Sequence, residues 1–152
     1  DGESKYKKVR LEPNDKLDDC VTDFLKLLKL NKGTIKVKID KVIWLNTDFH
    51  PYKGYRVLRS GLLLGQLKGK HFEPSQSLAL ALNPKQFKNV LNFSIADDRV
   101  IKYLKGETLD VKDIDSKTSG YTLVCVDNFP LGFAKLSKGS LKNKYAKGWR
   151  YQ

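Results

Sequence analysis

Short apolar runs that end in turn-forming residues are the feature that most limits how this chain can fold. The run 121–126, Tyr-Thr-Leu-Val-Cys-Val, predicts a strand, residues 127–130 predict a turn, and residues 131–135 return as the hairpin partner. Residues 34–39 alternate strictly between polar and apolar, which predicts a strand with one solvated, basic face. The chain is therefore expected to fold around sheets.

Helical spacing of apolar residues is confined to a few segments between these strands. It predicts a helix from Pro13 to about residue 30, a short helix over 75–82 capped by Ser75, and a helix over 95–105 capped by Ser94. Further strands are predicted at 42–45, 54–59 and 62–68, with a tight turn at Ser137-Lys138-Gly139.

The apolar pattern restarts between residues 87 and 92, which predicts a domain boundary. Of the 152 residues, 40% are hydrophobic, enough to bury a substantial core. The expected fold class is α+β: a flexible lead-in over 1–12, a small α/β module over 13–90, and a compact β-rich domain over 93–152.

Groups that could carry catalysis are scarce. Cys20 and Cys125 both lie in apolar patterns, which favours buried thiols in a reducing cytosol over a disulfide or a nucleophile. His50 and His71 lie at no metal-ligand spacing, so solvated or capping roles are expected.

Four carboxylates cluster between residues 107 and 115. They are Glu107, Asp110, Asp113 and Asp115. A solvated acidic loop is favoured over an acid/base pair, because no apolar surroundings would raise a pKa. No catalytic residue, cofactor site or metal site is expected in this chain.

No apolar run approaches the roughly 20 residues that cross a bilayer, and no secretory signal is visible. We therefore expect a protein that does not contact a membrane, and we further expect it to be cytoplasmic and monomeric.

The charge balance points to a polyanionic partner. The 29 Lys and Arg residues exceed the 17 Asp and Glu residues, and the net charge is +12. Two stretches, 49–72 and 135–152, contain no acid, and aromatic residues interleave with the cations of the second. The predicted RNA-binding residues are Arg56, Arg59, Lys68 and Lys70 in the first stretch and Lys135, Lys142, Asn143, Lys144, Tyr145, Lys147, Trp149 and Arg150 in the second.

RNA is favoured over DNA because the basic domain is rich in strands and shows no basic recognition helix. Lysines would neutralise phosphates and exposed rings would stack on unpaired bases. Two alternatives stay open: the lysines form a solvated face while Trp149 fills a core, or the chain is a protein-interaction adaptor for ribosome or rRNA-processing factors, anchored by Trp149 and Phe129.

The second basic stretch also carries a family resemblance. Residues 128–135, Asn-Phe-Pro-Leu-Gly-Phe-Ala-Lys, and 141–150, Leu-Lys-Asn-Lys-Tyr-Ala-Lys-Gly-Trp-Arg, resemble the end of the C-terminal PUA-like domain of bacterial NOL1/NOP2/Sun-type rRNA methyltransferases. The segments 103–107, 59–65 and 72–75 resemble that family's upstream motifs. Ala146 stands where the family usually has Pro, and Phe133 where Trp is common.

The resemblance implies that residues 93–152 form a PUA-like β-barrel that binds ribosomal RNA. It also implies a parent enzyme that methylates cytosine C5 with S-adenosylmethionine, through a cysteine in an upstream catalytic domain of the same polypeptide. Neither Cys20 nor Cys125 lies in that family's Pro-Cys or Thr-Cys catalytic context. The sequence contains no Met and opens on Asp1-Gly2-Glu3, so we expect it to be a piece of that longer enzyme.

Overall fold

The computed structural model describes residues 10–11, 17–30, 33–46 and 61–151. The chain divides into two compact units, residues 1–78 (the first unit) and 79–152 (the second unit). Each has its own five-stranded sheet accompanied by short helices, so the expected α+β class is confirmed.

The first unit is a sheet in sequence order, β1-β2-β3-β4-β5, in which β1 and β2 are parallel and the other pairs antiparallel. Its elements are β1 (Arg10–Leu11), α1 (Asp19–Leu25), β2 (Gly33–Lys38), β3 (Lys41–Asn46), β4 (Gly61–Lys68) and β5 (His71–Pro74). Two residues of the predicted lead-in thus pair with β2, at Thr34 and Ile35. The strand predicted over 54–59 lies outside the described residues.

Helix α1 covers the first sheet with Val21 and Phe24, and the Phe24 ring lies 4.8 Å from the ring of Phe72 on β5. The helix is shorter than predicted, because its last turn tightens: the Leu27 amide donates to the Phe24 carbonyl. Residues 13–16 lie outside the described part of the chain. Cys20 is half-buried, contrary to expectation, because it sits beside the face that buries Val21 and Phe24.

Strand β2 confirms the predicted basic face. Ile35 is buried, whereas Lys36 and Lys38 are exposed on the other side of the strand. Helix α2 (Gln76–Ala81) is also confirmed, since the Ser75 hydroxyl accepts a hydrogen bond from the Leu78 amide at 3.0 Å.

The second unit is a curled sheet in the order β6-β8-β9-β10-β7. Its elements are β6 (Val90–Phe93), α3 (Arg99–Leu104), β7 (Leu109–Asp110), β8 (Gly120–Val126), β9 (Phe129–Ser137) and β10 (Ser140–Asn143). One face packs with α3 into a core around Tyr103, whose hydroxyl donates to the Phe133 carbonyl at 2.8 Å. Phe87 packs on the other face, with its ring 5.3 Å from that of Phe133.

Both predicted turns of this sheet are confirmed as tight hairpins. Asp127 and Asn128 have φ values of 45° and 68°, and Lys138 and Gly139 have 48° and 84°. Two consecutive positive φ values are the signature of the turn whose twist suits a two-residue hairpin.

Three features of the second unit differ from the sequence predictions. Strands β6 and β7 were not predicted. Cys125 of β8, by contrast, is buried as expected. Helix α3 begins at Arg99 rather than Ile95, because the Ser94 hydroxyl accepts from the Ala96 amide and closes a separate turn. Gly106 follows the helix with a φ of +87°, as its predicted end requires.

The structural division falls inside α2, after Leu78, and the boundary expected near residues 87–92 stays a prediction. Within the described ranges, no helix is long and apolar enough to span a membrane.

Candidate nucleic-acid interface

Two of the predicted lysines are direct neighbours across the second sheet. Lys142 on β10 pairs with Lys135 on β9, and Lys135 pairs with Tyr121 on β8. Both lysines are exposed, and the Lys135 ammonium lies 4.8 Å from the centre of the half-buried Tyr121 ring. We call Tyr121, Lys135 and Lys142 the basic row.

The two lysines of the basic row repel each other. Like charges directly opposite in a sheet are destabilising, and neither ammonium forms an ion pair with a described acidic residue. Asp110, opposite Ser140, is the acid nearest in register, and its carboxylate accepts from the Lys112 amide. An anion bound across the row would relieve this repulsion.

Lys144 continues the line of Lys142. The Lys144 amide donates to the Phe133 carbonyl at 3.2 Å, so the β10 ladder extends by one residue beyond Asn143. Alternation along the extended chain then places Lys144 on the same side of the sheet as Lys142.

The predicted residues Asn143 and Tyr145 are tied into the fold. The Asn143 amide nitrogen donates to the Tyr103 and Glu107 carbonyls at 2.8 and 3.0 Å, and its oxygen accepts from the Tyr145 amide at 2.8 Å. The Tyr145 ring packs 5.4 Å from the Tyr103 ring. These contacts give both side chains a structural role.

Arg150 holds the C-terminal segment near the end of α3, where its side chain packs against Gly106. Its Nε donates to the Tyr145 carbonyl at 3.2 Å, and a Cβ added at Gly106 would lie only 2.5 Å from that Nε. The Tyr151 amide donates to the Leu104 carbonyl at 2.8 Å.

Around that anchor the C-terminal segment exposes two aromatic rings to solvent. Lys147, Gly148 and Trp149 form a 3₁₀ turn, Lys147 is exposed, and Trp149 keeps 57% of its surface accessible. Tyr151 is exposed as well. The alternative that Trp149 fills a core is therefore wrong.

The first basic stretch lies in the other unit. Lys68 forms an ion pair with Glu73 of β5, with 3.1 Å between its ammonium nitrogen and the nearer carboxylate oxygen. Lys70 is exposed in the turn between β4 and β5. Arg56 and Arg59 lie outside the described residues. The structure thus joins Lys135 and Lys142 directly, and links Asn143, Tyr145 and Arg150 through hydrogen bonds.

One acid of the predicted acidic cluster, Asp113, binds Arg99, and the sequence did not indicate this contact. Arg99 donates to Oδ2 of Asp97 at 2.7 Å and to its Oδ1 at 3.0 Å, and to both carboxylate oxygens of Asp113 at 2.7 and 3.0 Å. Hydrogen bonds from Arg99 lower the pKa of Asp97 to about 2 and also lower the pKa of Asp113.

Asp115, by contrast, closes its own loop, and hydrogen bonds from Thr118 lower its pKa. Groups of His, Cys, Asp and Glu that could hold a metal are absent from the described residues. The hydrogen bonds of Asp113 and Asp115 therefore give these two carboxylates structural roles.

Tyr121 is the component that the sequence reasoning missed. The tight turn at Lys138-Gly139 is enough to place Lys135 opposite Lys142, so that pair was accessible from the sequence. Tyr121 was not, because a bulge between Val124 and Cys125 shifts its register by one residue.

A curled sheet with lysines on one face, a short helix over its core and exposed rings near the chain end defines a small β-rich domain. Residues 90–151 match the family model described as the PUA domain of methyltransferase RsmF. Residues 21–82 match the model of the first C-terminal domain of the RsmF rRNA methyltransferase. The chain belongs to the RsmF rRNA methyltransferase family and corresponds to its C-terminal region, which confirms the resemblance. No curated protein matched the chain.

Proposed function

We propose that this chain is the RNA-binding region of an rRNA cytosine-C5 methyltransferase and positions ribosomal RNA for a catalytic domain of the same polypeptide. The observation that carries the proposal is the basic row, because it sets two neighbouring ammonium groups without a described acidic partner on one sheet, the first of them against an aromatic ring. Phosphates bind the ammonium groups, and a base stacks on the ring or on the exposed Trp149.

The contribution to methylation is positional. Once the PUA domain holds the RNA, the target cytosine meets the catalytic domain intramolecularly, at an effective concentration set by the connecting chain. S-adenosylmethionine and the cysteine nucleophile would belong to that catalytic domain. On this proposal the chain is a cytoplasmic monomer with no cofactor of its own.

The test is binding of the whole chain to a fluorescein-labelled rRNA stem-loop, followed by anisotropy at salt concentrations from 50 to 200 mM. We expect the affinity to fall steeply, with a log–log slope of about −2 or steeper if three or more phosphates are neutralised. Absence of binding at 50 mM salt would refute the proposal.

The rival function is a protein-interaction adaptor, which the exposure of Phe129 favours. Phe129 lies directly after the Asp127-Asn128 turn, and the Asp127 carboxylate accepts from the amide of Ile95, another exposed apolar residue. A contact made by these two side chains would be nearly insensitive to salt. Binding of a ribosomal protein that Phe129→Ala abolishes, with RNA affinity unchanged, would support this function.

A further inference from the structure

The turn between β2 and β3 in the first unit has an unfavourable residue at its tip. Lys38 pairs with Lys41, so Ile39 and Asp40 are the two central residues of a tight hairpin. Ile39 has a φ of 59°, in the left-handed region that a β-branched side chain rarely adopts. A hairpin with a positive φ at its first central residue ordinarily has glycine there.

The same residue is the most exposed of the large apolar side chains in the described part of the chain, with 88% of its surface accessible. Lysines surround it. Lys38 and Lys41 lie directly opposite each other, and both are exposed. Lys36 lies two residues before Lys38 on β2, on the same face of the strand, and is exposed as well. Asp40 is the acid that lies between them in sequence.

The neighbouring hairpin adds to this charge. The Leu67 amide donates to the Asp40 carbonyl at 2.7 Å, which brings the β4–β5 turn to the same end of the sheet. That turn carries Lys70, exposed at its second central position. A shallow hollow beside the tip is lined by Lys38, Ile39, Asp40, Lys41, Ile43 and Gln66.

Strained backbone and paired like charges both oppose folding, and they coincide with an exposed aliphatic group at one place. Proteins keep such local conflicts where a ligand uses them. We infer that Lys36, Lys38, Ile39, Lys41 and Lys70, the basic tip, form a second RNA contact. The ammonium groups bind neighbouring phosphates, and Ile39 packs against the face of an unpaired base.

This inference rests on the proposed RNA-binding function but uses the other unit. RNA is the occupant that fits, because the tip combines four lysines with one acid, and an exposed base face is the apolar surface found next to phosphates. A fully paired duplex hides its base faces, so the tip should distinguish a looped RNA from a duplex.

The test is Ile39→Gly in the whole chain, assayed with a labelled RNA stem-loop and with a paired RNA duplex of equal length. We expect the variant to bind the stem-loop about tenfold more weakly than the wild-type chain does, because the burial of the aliphatic side chain is lost. Its affinity for the duplex should equal that of the wild-type chain. The melting temperature should stay or rise, because glycine adopts the observed φ without strain.

The matched control is Ile95→Gly, another isoleucine in a turn, 69% exposed but close to Asp97 and Asp98. It should leave binding of both RNAs unchanged. Unchanged stem-loop affinity for Ile39→Gly, with wild-type chain binding normally, would overturn this inference alone. If the wild-type chain bound neither RNA, the proposed function would fall as well.

Discussion

Replacing Lys135 and Lys142 together with alanine should weaken RNA binding by removing two adjacent phosphate contacts. Each neutralised phosphate contributes about 0.7–0.9 to the log–log salt slope, so the slope should become shallower by about 1.5. At 0.1 M salt this corresponds to roughly 30-fold weaker binding, if the non-electrostatic part is unaltered. The loss should be similar for RNAs of different sequence, because phosphates carry no base information.

The same change should leave the fold intact. The Lys135 contact with the Tyr121 ring contributes about 0.5–1 kcal/mol at an exposed site, and relief of the repulsion between the lysines offsets part of it. We therefore expect the free energy of unfolding to change by less than about 1 kcal/mol.

Anisotropy titrations of one RNA at four salt concentrations, together with urea unfolding, measure both quantities. The control is Lys102→Ala with Lys117→Ala, which removes the same charge from exposed positions of the second unit. If the control and the basic-row variant lost equal affinity with equal slopes, only net charge would matter and the basic row would not be a site.

Three further outcomes are expected. Trp149→Ala should weaken binding of single-stranded RNA by about 1–3 kcal/mol and leave the melting temperature nearly unchanged, because the ring is exposed; a large fall in melting temperature would contradict this. The lowered pKa of Asp97 contributes stability that is present above pH 3.8 and is lost as pH falls toward about 2, so Arg99→Ala should reduce the loss between pH 5 and pH 2 in urea unfolding, by about 2 kcal/mol. Burial raises the pKa of Cys125 to about 11, so a thiol reagent at pH 8 should label the half-buried Cys20 first, and equal rates would argue against the buried position.

Local signals accounted for the parts of the fold that were predicted. Asp127, Asn128 and Gly139 tolerate positive φ values better than other residues, so each of the two turns fixes a hairpin within a few residues of sequence. Ser75 likewise caps α2 through a bond to an amide three residues later.

The parts that were missed depend on distant partners. Strand β6 is four residues long and pairs in parallel with β8, about thirty residues later. No hairpin turn adjacent in sequence therefore indicates the pairing. The two-residue β7, Leu109–Asp110, has one apolar and one acidic residue, and it is a strand because β10 lies beside it. Propensity over such short segments is too weak to reveal either strand.

The candidate site likewise has a part that local sequence signals predict and a part that depends on a distant partner. Without the bulge in the β8–β9 pair, where Leu131 of β9 is the extra residue, the hairpin register would place Tyr121 opposite the buried Ala134 rather than opposite Lys135. A shift of one residue exchanges the two faces of a strand, so a feature invisible in the sequence decides whether the ring joins the lysines.

The order of the strands in the second sheet also determines when that sheet can be completed. Its centre, β8-β9-β10, is a meander of local hairpins, which close quickly once synthesised. Both outer positions are occupied by β6 and β7, which leave the ribosome earlier and have nothing to pair with until the meander arrives. A chain whose synthesis stops before Ser140 would therefore lack the strand that holds β7. The nascent domain would then expose an unpaired sheet edge, the surface through which incomplete β-domains aggregate.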